Sequence, residues 1–141
     1  MPDVTAQLKA LVLCDFAQVR EGLLFVQSGG LTRLVARSFP AKFPCRVAAL
    51  VYSPPDEASV AHSVVMKVKS ASSATVLATI KVALHETNPP AGLAPGEGRL
   101  VPIVVPLESV AFPEPGEYDL QVDVDDQFAG DLSFRVAERQ T

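Results

Sequence analysis

Apolar and polar residues alternate most clearly between Gly116 and Val136. Tyr118, Leu120 and Val122 fall on one side of this alternation, and the residues between them are acidic or polar. Side chains in a strand point alternately to its two faces, so this spacing predicts a strand with one face in a core and one in water. After a polar turn the alternation resumes through Phe134 and Val136. The stretch predicts a β-hairpin.

Further segments repeat the two-residue spacing and predict more strands. Residues 60–69 and 76–84 form a second predicted hairpin across the turn SASSA. Residues 6–16 and 45–52 are apolar on both faces, which is typical of central strands or strands covered on both sides. Residues 99–107 also alternate, but Pro102 and Pro106 lack amide donors and predict an edge strand or an irregular one.

Shorter segments complete the pattern. Residues 23–27 predict a strand after the polar connection AQVREG. LTRLVA at 31–36 allows either another short strand or a helical turn, and a strand is favoured. Residues 87–98, rich in proline and glycine, predict a loop that crosses between sheets. About eight strands result, and they predict an all-β fold: a two-sheet antiparallel β-sandwich, immunoglobulin-like or jelly-roll-like. We expect one domain over residues 1–141, with loose termini at 1–5 and 138–141.

The segment Pro115-Gly116-Glu117-Tyr118 precedes the last hairpin. It resembles the entry to a late strand of immunoglobulin-like domains, where a tyrosine packs inward and its hydroxyl bonds back to the corner. We therefore expect Tyr118 in the core, and Tyr52 is expected to point inward as well.

Composition and charge exclude some partners. The formal net charge is −4, with charges spread in ones and twos, which argues against nucleic acid or an anionic membrane as a partner. The opening MPDVTAQLKA lacks the features of a signal peptide, and the apolar runs are too short to span a membrane. These features predict a cytoplasmic protein.

The two cysteines, Cys14 and Cys45, both lie in apolar runs. Free cysteine is among the most buried residue types, so two reduced core thiols are the favoured interpretation. A disulfide between neighbouring strands stays open, because spacing alone does not determine it.

Five aspartates between Asp119 and Asp131 are the densest acidic group. Clustered carboxylates can bind calcium, but DVDDQFAG does not match the helix–loop–helix calcium pattern. A solvated strand face with an acidic turn is favoured, so no metal site is predicted.

His62 and His85 are the only histidines. A hydrolase or lyase would need the fold to bring His85, Glu86 and Asp119 together. No nucleophile elbow or phosphate loop is present. We therefore predict no catalytic residues, no cofactor and no enzymatic activity.

Several motifs resemble an uncharacterised bacterial family of small cytoplasmic proteins. The first is an apolar strand ending in Asp15, followed by Ala17-Gln18-Val19 and Gly22, which gives the pattern D-x-A-Q-V-x-x-G. A short strand, the break at Gly29-Gly30 and the Pro-Gly-x-Tyr corner follow. The resemblance covers most of the chain and is weakest over residues 54–75 and 86–98. It implies a single sandwich domain and transfers no catalytic residues.

The functional hypothesis is a non-enzymatic interaction module that binds a protein partner or forms a homo-oligomer. It rests on apolar residues assigned to outward positions, which we take as a candidate interface: Leu11, Leu13, Leu77 and Ala83. The alternative is a small-ligand or carbohydrate-binding sandwich that uses the loops at 27–30 and 87–98. The absence of tryptophan counts against a sugar site.

Overall fold

The computed structural model describes residues 6–55, 61–84, 94 and 96–140. Within these residues the chain forms nine β-strands and no α-helix. Their bounds are β1 Gln7–Arg20, β2 Leu23–Gly29, β3 Arg33–Ala36, β4 Arg46–Ser53, β5 His62–Ser70, β6 Val76–Leu84, β7 Arg99–Pro106, β8 Gly116–Val124 and β9 Gln127–Glu138.

The strands form two sheets, and the predicted two-sheet all-β fold is confirmed. A four-stranded sheet has the order β2-β1-β4-β7, and a five-stranded sheet has the order β3-β9-β8-β5-β6. Every pairing is antiparallel except that of β3 with β9, which is parallel. The parallel pairing of β3 departs from the antiparallel sandwich predicted from the sequence, because a strand of four residues carries no signal for its direction.

The core lies between the two sheets. Tyr118, Leu120 and Val122 are buried in it, as the alternation in β8 predicts. From β4 the core receives Val47, Ala49 and Val51, and from β5 it receives Val64, Met66 and Val68. Burial of these one-sided strands against each other is the main favourable contribution to folding.

The strand order is immunoglobulin-like. β1, β4 and β7 correspond to strands A, B and E of that fold, and β9, β8, β5 and β6 correspond to G, F, C and C′. The chain crosses between the sheets five times, after β2, β3, β4, β6 and β7. The parallel β3 then occupies the edge beside the last strand.

The tyrosine corner is present as predicted. Tyr118 is 2% exposed, and its hydroxyl donates a hydrogen bond to the backbone oxygen of Glu114 at 2.6 Å. Its ring packs edge-on against Phe112 at 5.0 Å between centroids and stacks with Phe134 at 6.1 Å. Burial raises the pKa of the Tyr118 hydroxyl, because the charged form would lose its hydration.

Three details differ from expectation. Residues 17–20, expected in a polar connection, continue β1, and the turn to β2 consists only of Glu21 and Gly22. Tyr52 shares the outer face of β4 with Ala48 and Leu50, so its predicted inward orientation is wrong. Glu138, expected in a loose terminus, pairs with Ala36 and ends β9. The other expected loose end, 1–5, lies outside the described residues.

The predicted edge position of residues 99–107 is confirmed. β7 is the last strand of the four-stranded sheet, and its prolines lie opposite β4 at Leu50 and Arg46. Proline is tolerated at such an edge because fewer ladder hydrogen bonds are lost there.

Candidate functional site

The hairpin of β1 and β2 extends beyond the sheet that it belongs to. β1 pairs with β4 only as far as Cys14, opposite Arg46, and from Phe16 to Arg20 it pairs with β2 alone. Glu21 and Gly22, with φ of 53° and 75°, form a two-residue turn. Two successive positive φ values are the geometry of the tight hairpin turn that suits the twist of the flanking strands.

This hairpin folds back over the outer face of the four-stranded sheet. β2 contacts β7, although two strands separate them in the sheet. A small second core fills the space beneath the hairpin: Cys14, Ala17 and Ala48 are fully buried, and Val12, Leu24 and Val104 pack against them. We call these six residues the outer cluster. They explain why β1 and β4 are apolar on both faces.

Arg46 of β4 contacts the overhanging part of the hairpin in two ways. Its Nη1 donates a hydrogen bond to the backbone oxygen of Ala17 at 2.9 Å. Its guanidinium carbon lies 4.5 Å from the centroid of the Phe16 ring, within the range of a cation–π contact. The overhanging strands are therefore held at a fixed place over the sheet.

An apolar groove lies between the hairpin tip and the sheet. Its volume is about 390 Å³, and it is lined by Gly22, Leu23, Leu24, Phe25, Leu50 and Leu100. Leu23 is 63% exposed, Leu100 50% and Phe25 49%. The groove lacks charged side chains in its lining, so it suits an apolar surface better than a polar substrate.

Exposed apolar residues concentrate around this groove. Among the described residues nine large apolar side chains are exposed, and five of them lie on the β1–β2 hairpin. With Leu100, which lines the groove, they form what we call the hairpin surface: Phe16, Val19, Leu23, Phe25, Val26 and Leu100. By the pairing of β1 with β2, Phe16, Leu23 and Phe25 lie on one face of the hairpin and Val19 and Val26 on the other. Exposed apolar side chains concentrated on one element mark interaction sites.

The residues proposed from the sequence as an interface lie elsewhere. Leu13 is 1% exposed, and Leu11 packs against the main core, so the outward orientation assigned to both is wrong. Leu77 is half-buried against the same core, whereas Ala83 is exposed. An interface role for Leu77 and Ala83 stays a prediction.

His62 contacts an aspartate rather than a metal ligand set. Its Nδ1 lies 2.8 Å from Asp125 Oδ2, and the other carboxylate oxygen accepts a hydrogen bond from the Ser63 amide at 2.9 Å. Asp125 lies at positive φ in the β8–β9 turn, and its own amide donates to the Ser63 backbone oxygen. Both oxygens of this carboxylate therefore fasten the turn to the start of β5, which is a structural role.

The residues of the hydrolase alternative are only partly described. His85 and Glu86 lie outside the described residues, and the Asp119 carboxylate accepts a hydrogen bond from the Ser133 hydroxyl at 2.7 Å. Asp125, Asp126 and Asp131 are exposed, and Asp123 accepts from the Gln121 amide at 3.2 Å. In the part of the chain that the structure describes, no three His, Cys, Asp or Glu side chains are grouped to hold a metal ion.

The two cysteines are free thiols on opposite faces of the sheet. Cys14 lies in the outer cluster, and Cys45 lies in the main core. Burial raises the pKa of Cys45 to about 11 and also raises that of Cys14. Both thiols are therefore protonated at neutral pH.

The loops proposed for a small ligand are also only partly described. Residues 27–29 end β2, and Gly30 follows at positive φ, while most of 87–98 lies outside the described residues. Tyr52 presents its ring to Lys9 at 5.9 Å on the outer face. A ligand site built from these loops stays a prediction.

The fold and its outer hairpin define an immunoglobulin-like β-sandwich with an apolar groove on its four-stranded sheet. The chain belongs to a family of unknown function, DUF6941, which matches residues 9–137. That span includes every strand of both sheets except the ends of β1 and β9. No curated protein matches the chain. Within the described residues, no helix has the length and apolar character needed to cross a membrane.

Proposed function

We propose that the protein is a non-enzymatic module that binds another protein through the hairpin surface. The single observation that carries this proposal is the concentration of exposed leucine and phenylalanine around one groove. Leaving such side chains in water costs free energy that a partner recovers by covering them. We place the module in the cytoplasm, where its two free thiols would stay reduced.

The area of the hairpin surface suits a specific interface. Phe16, Leu23 and Phe25 lie on one face of the hairpin, and Leu100 lines the groove beside the last two. At roughly 150–200 Å² for a large apolar residue, these four half-exposed residues present about 350 Å². A standard interface buries about 800 Å² on each partner, of which about 60% is apolar. One face of the hairpin surface, with Leu100, therefore supplies most of the apolar area of one interface of ordinary size.

Site-specific photo-cross-linking in the native host tests the proposal. A benzophenone amino acid replaces Leu23, and a matched control places it at Val76, which is 48% exposed on β6. We expect position 23 to give a discrete protein adduct heavier than the 15.0 kDa chain, and position 76 to give none. An adduct with a second copy or with a different protein supports the proposal. The absence of an adduct at position 23, or equal adducts at both positions, overturns it.

A further inference from the structure

The four outer strands of the two sheets differ in how they are protected. An edge strand presents unpaired amide and carbonyl groups, and proteins usually block it with proline, charge or short length. β7 carries Pro102 and Pro106, β3 is four residues long and begins with Arg33, and β6 carries Lys81. β2 has seven residues, with neither proline nor charge. Its sequence is LLFVQSG, and all but Leu24 are exposed.

The unprotected edge of β2 adjoins the hairpin surface. β1 pairs with one side of β2, and no strand of the described chain pairs with the other, although β7 contacts β2 across the groove. Leu23, Phe25 and Val26 belong both to this edge strand and to the hairpin surface. One partner strand placed beside β2 would thus satisfy backbone groups and cover apolar side chains together.

We propose that the occupant is a second copy of this chain, with β2 pairing antiparallel to β2 of the other copy about a two-fold axis at Phe25. This inference rests on the proposed function and names its partner. The regular part of β2 is Leu23–Gln27, because Ser28 has φ of 55° and interrupts the extended conformation. Phe25 is the middle residue of that part.

The register about Phe25 is self-complementary. Phe25 of each copy lies opposite Phe25 of the other, Leu24 lies opposite Val26, and Leu23 lies opposite Gln27. Aromatic and β-branched cross-strand pairs stabilise a sheet, and like charges opposite each other destabilise it. Leu23–Gln27 contains no charge, so two negatively charged copies meet here without opposed charges. The result is one continuous eight-stranded sheet with a closed, isologous interface.

Opposite charges at Phe25 test this register. In a dimer of Phe25→Asp, or of Phe25→Lys, two side chains of the same charge face each other across the two-fold axis. In a mixed dimer of the two variants, aspartate faces lysine. We expect the unmodified chain to sediment at twice 15.0 kDa at high micromolar concentration. Each variant alone should weaken association by about a hundredfold or more, from lost apolar contact and charge repulsion. The equimolar mixture should restore the dimer, and Val76→Asp on β6 should leave it intact.

A second pair of substitutions covers the event that a variant at Phe25 misfolds. Leu23→Asp should weaken the dimer, and adding Gln27→Lys to the same chain should restore it, because the two positions face each other only across the axis. Within one strand they lie four residues apart, about 13 Å, too far for a contact. Restoration in either experiment supports the register, and its absence in both overturns it.

The outcome also separates this inference from the proposed function. A chain that stays monomeric up to millimolar concentration, yet cross-links from position 23 to a different protein, overturns the dimer and leaves the proposed function standing. A monomeric chain with no adduct at position 23 overturns both.

Discussion

Removing the hydroxyl of Tyr118 isolates the contribution of the tyrosine corner. In Tyr118→Phe the ring is retained, so its packing against Phe112 and Phe134 is unchanged. Only the 2.6 Å hydrogen bond to the Glu114 backbone oxygen is lost. A hydrogen bond contributes about 1 kcal/mol net, and a buried acceptor left unpaired costs about 1–3 kcal/mol. Glu114 is exposed, so water can reach the freed carbonyl, and we expect a loss of about 1–2 kcal/mol.

Urea denaturation measures this loss as a change in the free energy of unfolding. The matched control is Tyr52→Phe on the outer face, where we expect a change below about 0.5 kcal/mol, as for most surface substitutions. In thermal unfolding, Tyr118→Phe should lower the Tm by about 3–8 °C for a domain of this size. If both variants lose the same free energy, or Tyr118→Phe loses less than about 0.5 kcal/mol, the corner does not stabilise the fold as argued.

Two further predictions concern the core and the thiols. Leu13 is 1% exposed, so Leu13→Ala should lower the free energy of unfolding by about 2–5 kcal/mol. Leu23→Ala on the hairpin surface should change it by less than about 0.5 kcal/mol in the dilute monomer. Equal losses of the two variants in urea denaturation would place Leu23 in the core. Burial raises the pKa of Cys45 to about 11, so above pH 9 the folded state retains a proton that the unfolded state loses. The free energy of unfolding should therefore fall by on the order of 2 kcal/mol between pH 9 and pH 11. Cys45→Ala should flatten this decline in alkaline denaturation curves, and an unchanged slope would contradict the assignment.

The sequence was most informative where one face of a strand is apolar and the other polar. In β8 the alternation placed Tyr118, Leu120 and Val122 in the core, and all three are buried there. The prolines of β7 likewise identified an edge, because a missing amide donor has a direct structural consequence.

The same reasoning failed where both faces of a strand are apolar. In β1 alternation alone does not say which face meets the main core, and Leu11 and Leu13, predicted to point outward, pack in that core. The other face of β1 is covered by its own hairpin through the outer cluster. That contact depends on how the hairpin folds back over the sheet, which no local spacing encodes.

The sequence of β2 carries one signal of the hairpin surface. Leu23, Phe25 and Val26 stand in a strand without charge or proline, directly after a tight turn. An uncharged apolar strand is ordinary in a sheet interior and unusual at an edge. Only the strand order places β2 at the edge, so the surface could be recognised only after the topology was known.

Amide hydrogen exchange of β2 tests the docking role of the hairpin most directly. The measurement compares β2, Leu23–Gly29, with the longest edge strand, β6, Val76–Leu84, in dilute and in concentrated protein. We predict that exchange in β2 slows as concentration rises, because its free amides become paired and covered, while exchange in β6 stays constant. Exchange in β2 that is as fast in concentrated protein as in dilute protein would contradict the assignment of this edge to a second copy.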